Sequence, residues 1–236
     1  MARSITDPVH LQEPRAAYVH VPFCAHRCGY CDFTLVAGKD HLIDSYLSAL
    51  ETELDKSTIG GGEGQRVELE TLYFGGGTPS HLSPQQLRQL FDLVLSRFSR
   101  SRDCEFTIEA NPVDLTIERI DVLCEYGVNR ISLGVQSFDD KMLSVLERNH
   151  DGETIRDVMG RLRGAIDNVS FDLIFGVPGQ TLELWDRTLS TAVELGPAHI
   201  SSYGLTYEKG TSFWTRKNAG DLQSAPEDLE REMYAR

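Results

Sequence analysis

Short apolar runs alternate with longer amphipathic segments along this chain. Six runs have strand length, and most are followed by apolar residues at helical spacing. Strands that alternate with helices in this way are typical of parallel βαβ units. We therefore predict an α/β fold, a partial (β/α)6 TIM-type barrel with parallel strands. The predicted strands are 17–21, 69–74, 105–110, 130–136, 169–177 and 199–205, and the predicted helices are 41–54, 83–98, 116–126, 139–148, 153–166 and 181–195.

Helix boundaries and linkers are also marked in the sequence. Ser83, Pro84 and Gln86 have the spacing of a capping box with proline in the first turn, and Gly127 follows a helical stripe as a left-handed stop. The GGGEG run at 60–64 has no strand before it and no helix after it, so we predict a flexible linker there and not a phosphate loop. The final residues, after 205, indicate an incomplete helical tail.

Composition and charge narrow the class of protein. The chain has 236 residues, 40% of them hydrophobic and 25% charged, which is ordinary for a globular domain with a full core. A formal net charge of −13 argues against a broad nucleic-acid footprint, since phosphate binding needs clustered Lys and Arg. The chain shows no apolar signal segment at its start and no run near 20 apolar residues, so we predict no transmembrane segment and a cytoplasmic location.

Three of the five cysteines form one array. Cys24, Cys28 and Cys31 stand as C-x3-C-x2-C just after the first strand, whereas Cys104 and Cys124 are isolated and read as small core residues. Structural zinc wants four ligands, and an odd triplet on a short loop fits disulfide pairing poorly. A four-iron cluster held by three cysteines leaves one iron open to a small molecule. The array therefore favours a [4Fe-4S] cluster over zinc.

Polar or glycine residues recur where the predicted strands end. GGGTP follows the second strand directly, on a loop separate from the cysteines, and its backbone N–H groups could meet a carboxylate, although a tight turn is the alternative. Glu109 ends the third strand, Gln136 ends the fourth, and Asp172 interrupts the apolar fifth. An unpaired carboxylate among apolar residues is costly, so Asp172 needs a ligand or a partner. This end of an α/β barrel is where catalytic and binding residues gather.

Six ordered motifs together resemble a known family. From about residue 17 to 210 the chain resembles the oxygen-independent coproporphyrinogen dehydrogenase branch of the radical S-adenosylmethionine (SAM) proteins. In that family the open iron chelates SAM, whose reductive cleavage gives a 5′-deoxyadenosyl radical. The motifs that carry the resemblance are YVHVPFC, GGGTP, IEANP, GVQSF, LERNH and FDLIFGVPGQ.

The resemblance implies a role for each matching residue. Cys24, Cys28 and Cys31 would hold the cluster, and Tyr18, Gly76 and Glu109 match positions that contact its SAM. A second SAM site is implied by seven further matches, which are Tyr30, Gly77, Thr78, Gln136, Arg148, Asp172 and Gly204. The implied organisation is an N-terminal segment 1–16, a radical SAM core 17–210 and, at 211–236, the start of a truncated C-terminal region.

Two functions compete within this branch. The dehydrogenases decarboxylate two propionates of a porphyrinogen and resemble one another in an extra cysteine two residues after the last ligand. In this chain that position is Phe33, preceded by Asp32. The resulting Cys-Asp-Phe sequence resembles that of the heme chaperones of the branch. We therefore expect heme as cargo and heme-accepting apo-proteins as partners, with peripheral membrane association left open. His20 and His26 are candidate heme ligands, with the alternatives that His20 satisfies a backbone group and His26 is solvated.

Overall fold

The structure, a computed structural model, describes residues 14–57 and 66–236. The linker predicted at 60–64 and nearly all of the N-terminal segment lie outside the described residues. The strands, in chain order, are β1 (Ala16–Val21), β2 (Phe23–Cys24), β3 (Val36–Ala37), β4 (Val67–Gly76), β5 (Phe98–Ala110), β6 (Arg130–Gln136), β7 (Val169–Phe175) and β8 (His199–Gly204).

Six of these strands form one parallel sheet in the order β1-β4-β5-β6-β7-β8, and β2 pairs with β3 in a separate two-stranded ladder. Each strand of the large sheet pairs with the next one along the chain, so a crossover returns the chain to the same edge each time. The prediction of an α/β fold with six parallel strands is confirmed. Since all six strands point the same way, their carboxyl ends meet at one rim.

The helices connect and cover these strands. They are α1 (Ile43–Lys56), α2 (Pro84–Arg97), α3 (Ile117–Glu125), α4 (Asp140–Val145), α5 (Gly152–Leu162), α6 (Leu182–Leu195), α7 (Ser212–Ala219) and α8 (Glu227–Tyr234). The predicted capping box is present at α2, where Ser83 Oγ accepts from Gln86 N at 3.2 Å and Gln86 Oε1 accepts from Ser83 N at 3.1 Å. None of the helices in the described ranges is long and apolar enough to cross a bilayer.

Several predicted boundaries were wrong. Helix α2 ends at Arg97, and Phe98 begins a 13-residue strand whose first residues pair with Val67–Leu69 of β4. This polar start of β5 is ordered by backbone pairing and not by burial. Its side chains therefore show no apolar pattern from which a strand could be predicted. Helix α4 ends at Val145 because Glu147 adopts a left-handed conformation with φ of 56°.

The structure also adds detail to the end of the chain and corrects one expectation about the two isolated cysteines. The region after β8, predicted as an incomplete helical tail, contains two helices, α7 and α8, and the Thr211 side chain caps the first of them. Cys104 is buried as predicted, but Cys124 is exposed, because the buried face of α3 is formed by Ile120, Val122 and Leu123. The prediction that Cys124 packs in the core was therefore wrong.

The interior divides into a main core and a smaller cluster. The main core contains Phe74, Phe91 and Phe106, whose ring centroids lie 5.2–5.5 Å apart between the sheet and α2. The smaller cluster surrounds Phe213 of α7 near the carboxyl ends of β7 and β8. Its members are Met142, Leu146, Ile174, Val177, Leu205, Phe213 and Leu222. This smaller cluster packs α7 next to the cysteine loop.

Candidate functional site: a cysteine loop at the carboxyl rim

The cysteine loop, residues 24–31, begins in the short ladder formed by β2 and β3. Val36 N donates to Pro22 O at 2.7 Å and Gly38 N donates to Cys24 O at 3.1 Å, which closes the base of the loop. Cys31 N donates to Cys28 O at 3.0 Å, so a tight turn brings the second and third cysteines round. The loop therefore has its own backbone bonds before any ligand binds.

The three thiols form a donor set that fits an iron cluster. All three are free, and burial raises the pKa of Cys24 and of Cys31 above that of an ordinary thiol. In the part of the chain that the structure describes, no three His, Cys, Asp or Glu side chains converge on a single metal ion. Cluster ligands do not need to converge, since each binds a different iron. Loading would release thiol protons, because the thiolate is the ligand.

The GGGTP loop lies directly against the cysteine loop. Gly77 N donates to Val21 O and Thr78 N donates to Phe23 O, both at 2.8 Å, and the Thr78 hydroxyl lies 3.2 Å from Cys24 Sγ. A Cβ on Gly77 would come within 2.7 Å of the backbone between Pro22 and Phe23. The two loops are separate segments, as predicted, but they are in contact, since the glycine permits a backbone-to-backbone approach that helps to place Cys24.

The backbone N–H groups of GGGTP are already used within the protein. Gly76 has φ of +115°, and a Cβ there would lie 2.5 Å from the His20 ring. Its N–H donates to Glu109 Oε2 at 2.9 Å, while the next two N–H groups bond to the first strand and the cysteine loop. A contact between the backbone of this loop and the carboxylate of SAM therefore stays a prediction, and an N–H group of Gly76, Gly77 or Thr78 would have to leave its present partner to make it.

Glu109 gathers one group of predicted residues at the rim. Its Oε1 accepts from the Tyr73 hydroxyl at 2.8 Å, and burial raises the pKa of the carboxyl despite its two donors. The exposed ring of Tyr18 stacks on Tyr73 with centroids 5.8 Å apart. Gly76 thus bonds to Glu109 directly, and Tyr18 is linked to Glu109 through Tyr73, a residue that the sequence reasoning missed.

Arg148 organises a second group beside Cys28. Its guanidinium donates to Asn111 Oδ1 at 2.8 Å and to Gly134 O at 3.2 Å, and it lies 3.6 Å from Cys28 Sγ. It also bonds to the hydroxyl of Tyr30, whose pKa is raised, chiefly by burial. The buried Arg148 Nε has no partner among the described residues. This cation is therefore fixed at the cysteine loop with one donor still available.

The remaining predicted residues lie around these two groups. Gln136 ends β6 in a left-handed conformation with φ of 64°, at a break in the pairing with β7. Asp172 accepts from Ser132 Oγ at 2.8 Å and from Ser201, so the partner that a buried carboxylate requires is present; burial raises its pKa. Gly204 ends β8 on the exposed side, against the Phe175 ring.

Both histidines near the cysteines bond to backbone carbonyls. His20 Nε2 donates to Thr34 O at 2.8 Å, and His26 Nε2 donates to Glu147 O at 3.0 Å. The prediction that His20 satisfies a backbone group is confirmed, and the alternative that His26 is only solvated was wrong. Neither Nε2 can bind heme iron while these bonds persist.

Several residues at the site carried no isolated signal in the sequence. Asn111 and Glu147 lie inside motifs that drew attention to their neighbours, Glu109 and Arg148. Phe213 and Arg216 belong to the tail, where neither spacing nor composition pointed to the cysteines. Only the folded chain shows that all four contact the cysteine loop or the side chains that hold it.

The fold and the three-cysteine loop define a class of protein. The sequence pattern of the Radical SAM superfamily matches residues 18–192, and the chain belongs to that superfamily. Membership implies a [4Fe-4S] cluster and SAM. The solved structure of coproporphyrinogen III oxidase (HemN) from Escherichia coli, a radical SAM enzyme, superposes with a TM-score of 0.82 at 29% identity, over 94% of this chain and 51% of that one.

Among curated proteins the chain is similar to heme chaperones named HemW. It is 40% identical to HemW of Bacillus subtilis over 93% of this chain, and 38% identical to HemW of Escherichia coli over 86%. The chain spans 58% of the first of these relatives and 53% of the second.

Proposed function

We propose that this protein is a heme chaperone of the radical SAM type, which binds heme and passes it to apo-proteins. The similarity to the HemW proteins supports this, and one observation in the site carries it. Phe33, where the dehydrogenases of the branch resemble one another in a cysteine, is 62% exposed and presents an aromatic ring beside the last cluster ligand. A ring cannot serve as a thiol donor or radical partner. It can, however, contact an apolar macrocycle.

The cluster is proposed to bind Cys24, Cys28 and Cys31 within the core 17–210. When bound, such a cluster supplies an iron for SAM and an electron for its cleavage. Tyr18, Gly76 and Glu109 are proposed to contact this SAM, supported by their grouping around Glu109, to which Gly76 bonds directly and Tyr18 is linked through Tyr73. We propose a cytoplasmic location, since a cluster held by reduced thiolates suits a reducing compartment.

A second SAM site is a further part of the proposal. Its residues would be Tyr30, Gly77, Thr78, Gln136, Arg148, Asp172 and Gly204. The contacts between Arg148 and Tyr30 support their grouping, and the free Nε of Arg148 offers a donor for a carboxylate. Gly77 and Thr78 instead contact the backbone of the cysteine loop, so we infer that their role is to position Cys24.

The alternative is an oxygen-independent coproporphyrinogen dehydrogenase, which the likeness to HemN favours. One experiment separates the two functions. The natural protein is reconstituted anaerobically with iron and sulfide, and then divided between a heme-binding assay and a decarboxylation assay with coproporphyrinogen, SAM and a reductant. We expect about four irons per chain, an electron paramagnetic signal that shifts with SAM, and a Soret band that survives gel filtration. Formation of protoporphyrinogen would refute the chaperone assignment, and zinc without iron would refute the cluster.

A further inference from the structure

Glu147 occupies a backbone position that usually belongs to glycine. It follows α4, and Arg148 N donates to Leu143 O at 2.9 Å, which closes the turn at the end of that helix. The residue inside such a turn is left-handed, and Glu147 has φ of 56°. A side chain is disfavoured in this conformation, whereas glycine adopts it freely. The local structure therefore gives no reason for a glutamate here.

The side chain of Glu147 reaches the middle of the cysteine loop. Its Oε2 accepts from Gly29 N at 2.8 Å, and Gly29 lies between the ligands Cys28 and Cys31. Its own carbonyl oxygen accepts from His26 Nε2 at 3.0 Å. One residue thus bonds to the loop through its side chain and its backbone, on both sides of Cys28.

Helix α7 holds the same glycine from the other side. Phe213 N donates to Gly29 O at 2.8 Å, so both backbone groups of Gly29 bond to residues far away in sequence. A Cβ on Gly29 would lie 2.5 Å from the Phe213 ring and 2.9 Å from the Glu147 carboxylate. Arg216, one turn further along α7, pairs with Glu147 Oε1 at 3.2 Å. The three residues form a clamp on Gly29, which we call the Gly29 clamp.

We propose that Glu147 is a positioning residue for the iron cluster: through the Gly29 clamp it fixes the turn from Cys28 to Cys31 so that these thiolates face their irons. The inference rests on the proposed cluster. It adds Glu147, which lies outside the cysteine motif, to the residues that the cluster needs for stable binding. Arg216 orients the carboxylate, and the buried Phe213 anchors the helix that carries Arg216. The glutamate accepts an unfavourable backbone conformation because glycine, the usual residue there, has no carboxylate for Gly29 N.

The test uses Glu147→Gly in the natural protein, reconstituted with iron and sulfide. Glycine suits the left-handed turn, so the urea midpoint of the iron-free variant should match or exceed that of the unchanged protein. We expect its cluster to be lost to an iron chelator about tenfold faster, with a broadened electron paramagnetic signal. Glu147→Gln keeps an oxygen for Gly29 N but replaces the oxygen that accepts from Arg216 by an amide nitrogen, so an intermediate rate is expected. The matched control is Glu125→Gln. It removes a surface ion pair in which Glu125 Oε2 lies 2.9 Å from Arg88 Nη2, away from the cysteine loop.

The outcomes separate this inference from the function on which it rests. If Glu147→Gly and the control lose iron at the rate of the unchanged protein, Glu147 does not position the cluster. If Glu147→Gly unfolds at lower urea and Glu147→Gln retains iron as the unchanged protein does, the clamp serves only the fold and the proposal fails. If the unchanged protein takes up no iron, the proposed cluster fails and the positioning role fails with it.

Discussion

Gly77 joins the glycine loop to the cysteine loop, and Gly77→Ala tests that contact directly. A Cβ there would lie 2.7 Å from the Pro22 carbonyl and from Phe23 O, whereas an ordinary contact begins near 3.4 Å. One of the two backbones must therefore move by about 0.7 Å. Neither is the far end of a flexible side chain, so the strain cannot be relieved by a change of rotamer.

The expected cost follows from two effects. Insertion of a carbon atom into close-packed surroundings costs about 1–3 kcal/mol. A shift of the loop also weakens the 2.8 Å bond from Thr78 N to Phe23 O, for which about 1 kcal/mol is typical. We expect the free energy of unfolding to fall by about 2–4 kcal/mol. Since Phe23 precedes Cys24, the cluster should load poorly as well.

The assay pairs urea unfolding with iron content after anaerobic reconstitution. The control is Gly160→Ala in α5, where an added Cβ meets nothing within 4 Å. Because alanine is the better helix former, that variant should gain about 0.5–1 kcal/mol and load normally. Unchanged stability and full iron in Gly77→Ala would refute the contact. Normal iron with lost SAM binding would restore the view that the two loops act separately.

Two further predictions concern titratable groups. Burial lowers the pKa of His150 from 6.5 to about 4, so below pH 6.5 the unfolded chain binds a proton that the folded chain does not. Between pH 6.5 and 5 this should remove about 2 kcal/mol of stability, and urea unfolding of His150→Gln should show a pH dependence smaller by that amount. Tyr73→Phe removes a bond that lowers the pKa of Glu109, so the pKa rises further. When the affinity for SAM is measured at decreasing pH, the variant should lose affinity at a higher pH than the unchanged protein, because Glu109 is protonated earlier. An unshifted pH profile would exclude Glu109 as the titrating contact.

The fold could be predicted most directly where a strand is buried on both sides. A strand such as β7, which is buried at six of its seven positions, has an apolar run that no helix pattern explains. The first part of β5 could not be found in this way. Residues 99–103 are polar, and of these Ser99 and Arg100 pair with Glu68 and Leu69 of β4. A backbone ladder of this kind leaves no pattern of side chains in the sequence.

The site could be predicted only where its residues share a short motif. The cysteines could be predicted from their spacing, and Glu109 and Asp172 because each is a carboxylate in an otherwise apolar strand. The contact between GGGTP and the cysteine loop could not be predicted, because the two motifs lie more than 40 residues apart in the sequence. The partners of Asp172 are serines on β6 and β8, and ordinary strand residues of that kind give no signal until the sheet forms.

The contacts of the cysteine loop show when in folding a cluster site can exist. The backbone just before the loop bonds to Gly77 and Thr78, and Gly29 at its middle bonds to both Glu147 and Phe213, so the partners come from residues 77 to 213. Each contact needs the barrel rim in place, because β4, α4 and α7 supply them separately. The short ladder of β2 and β3 alone holds only the base of the loop. Three thiols at C-x3-C-x2-C spacing therefore specify the ligands, while their arrangement depends on the six-stranded sheet and on the helix that follows its last strand.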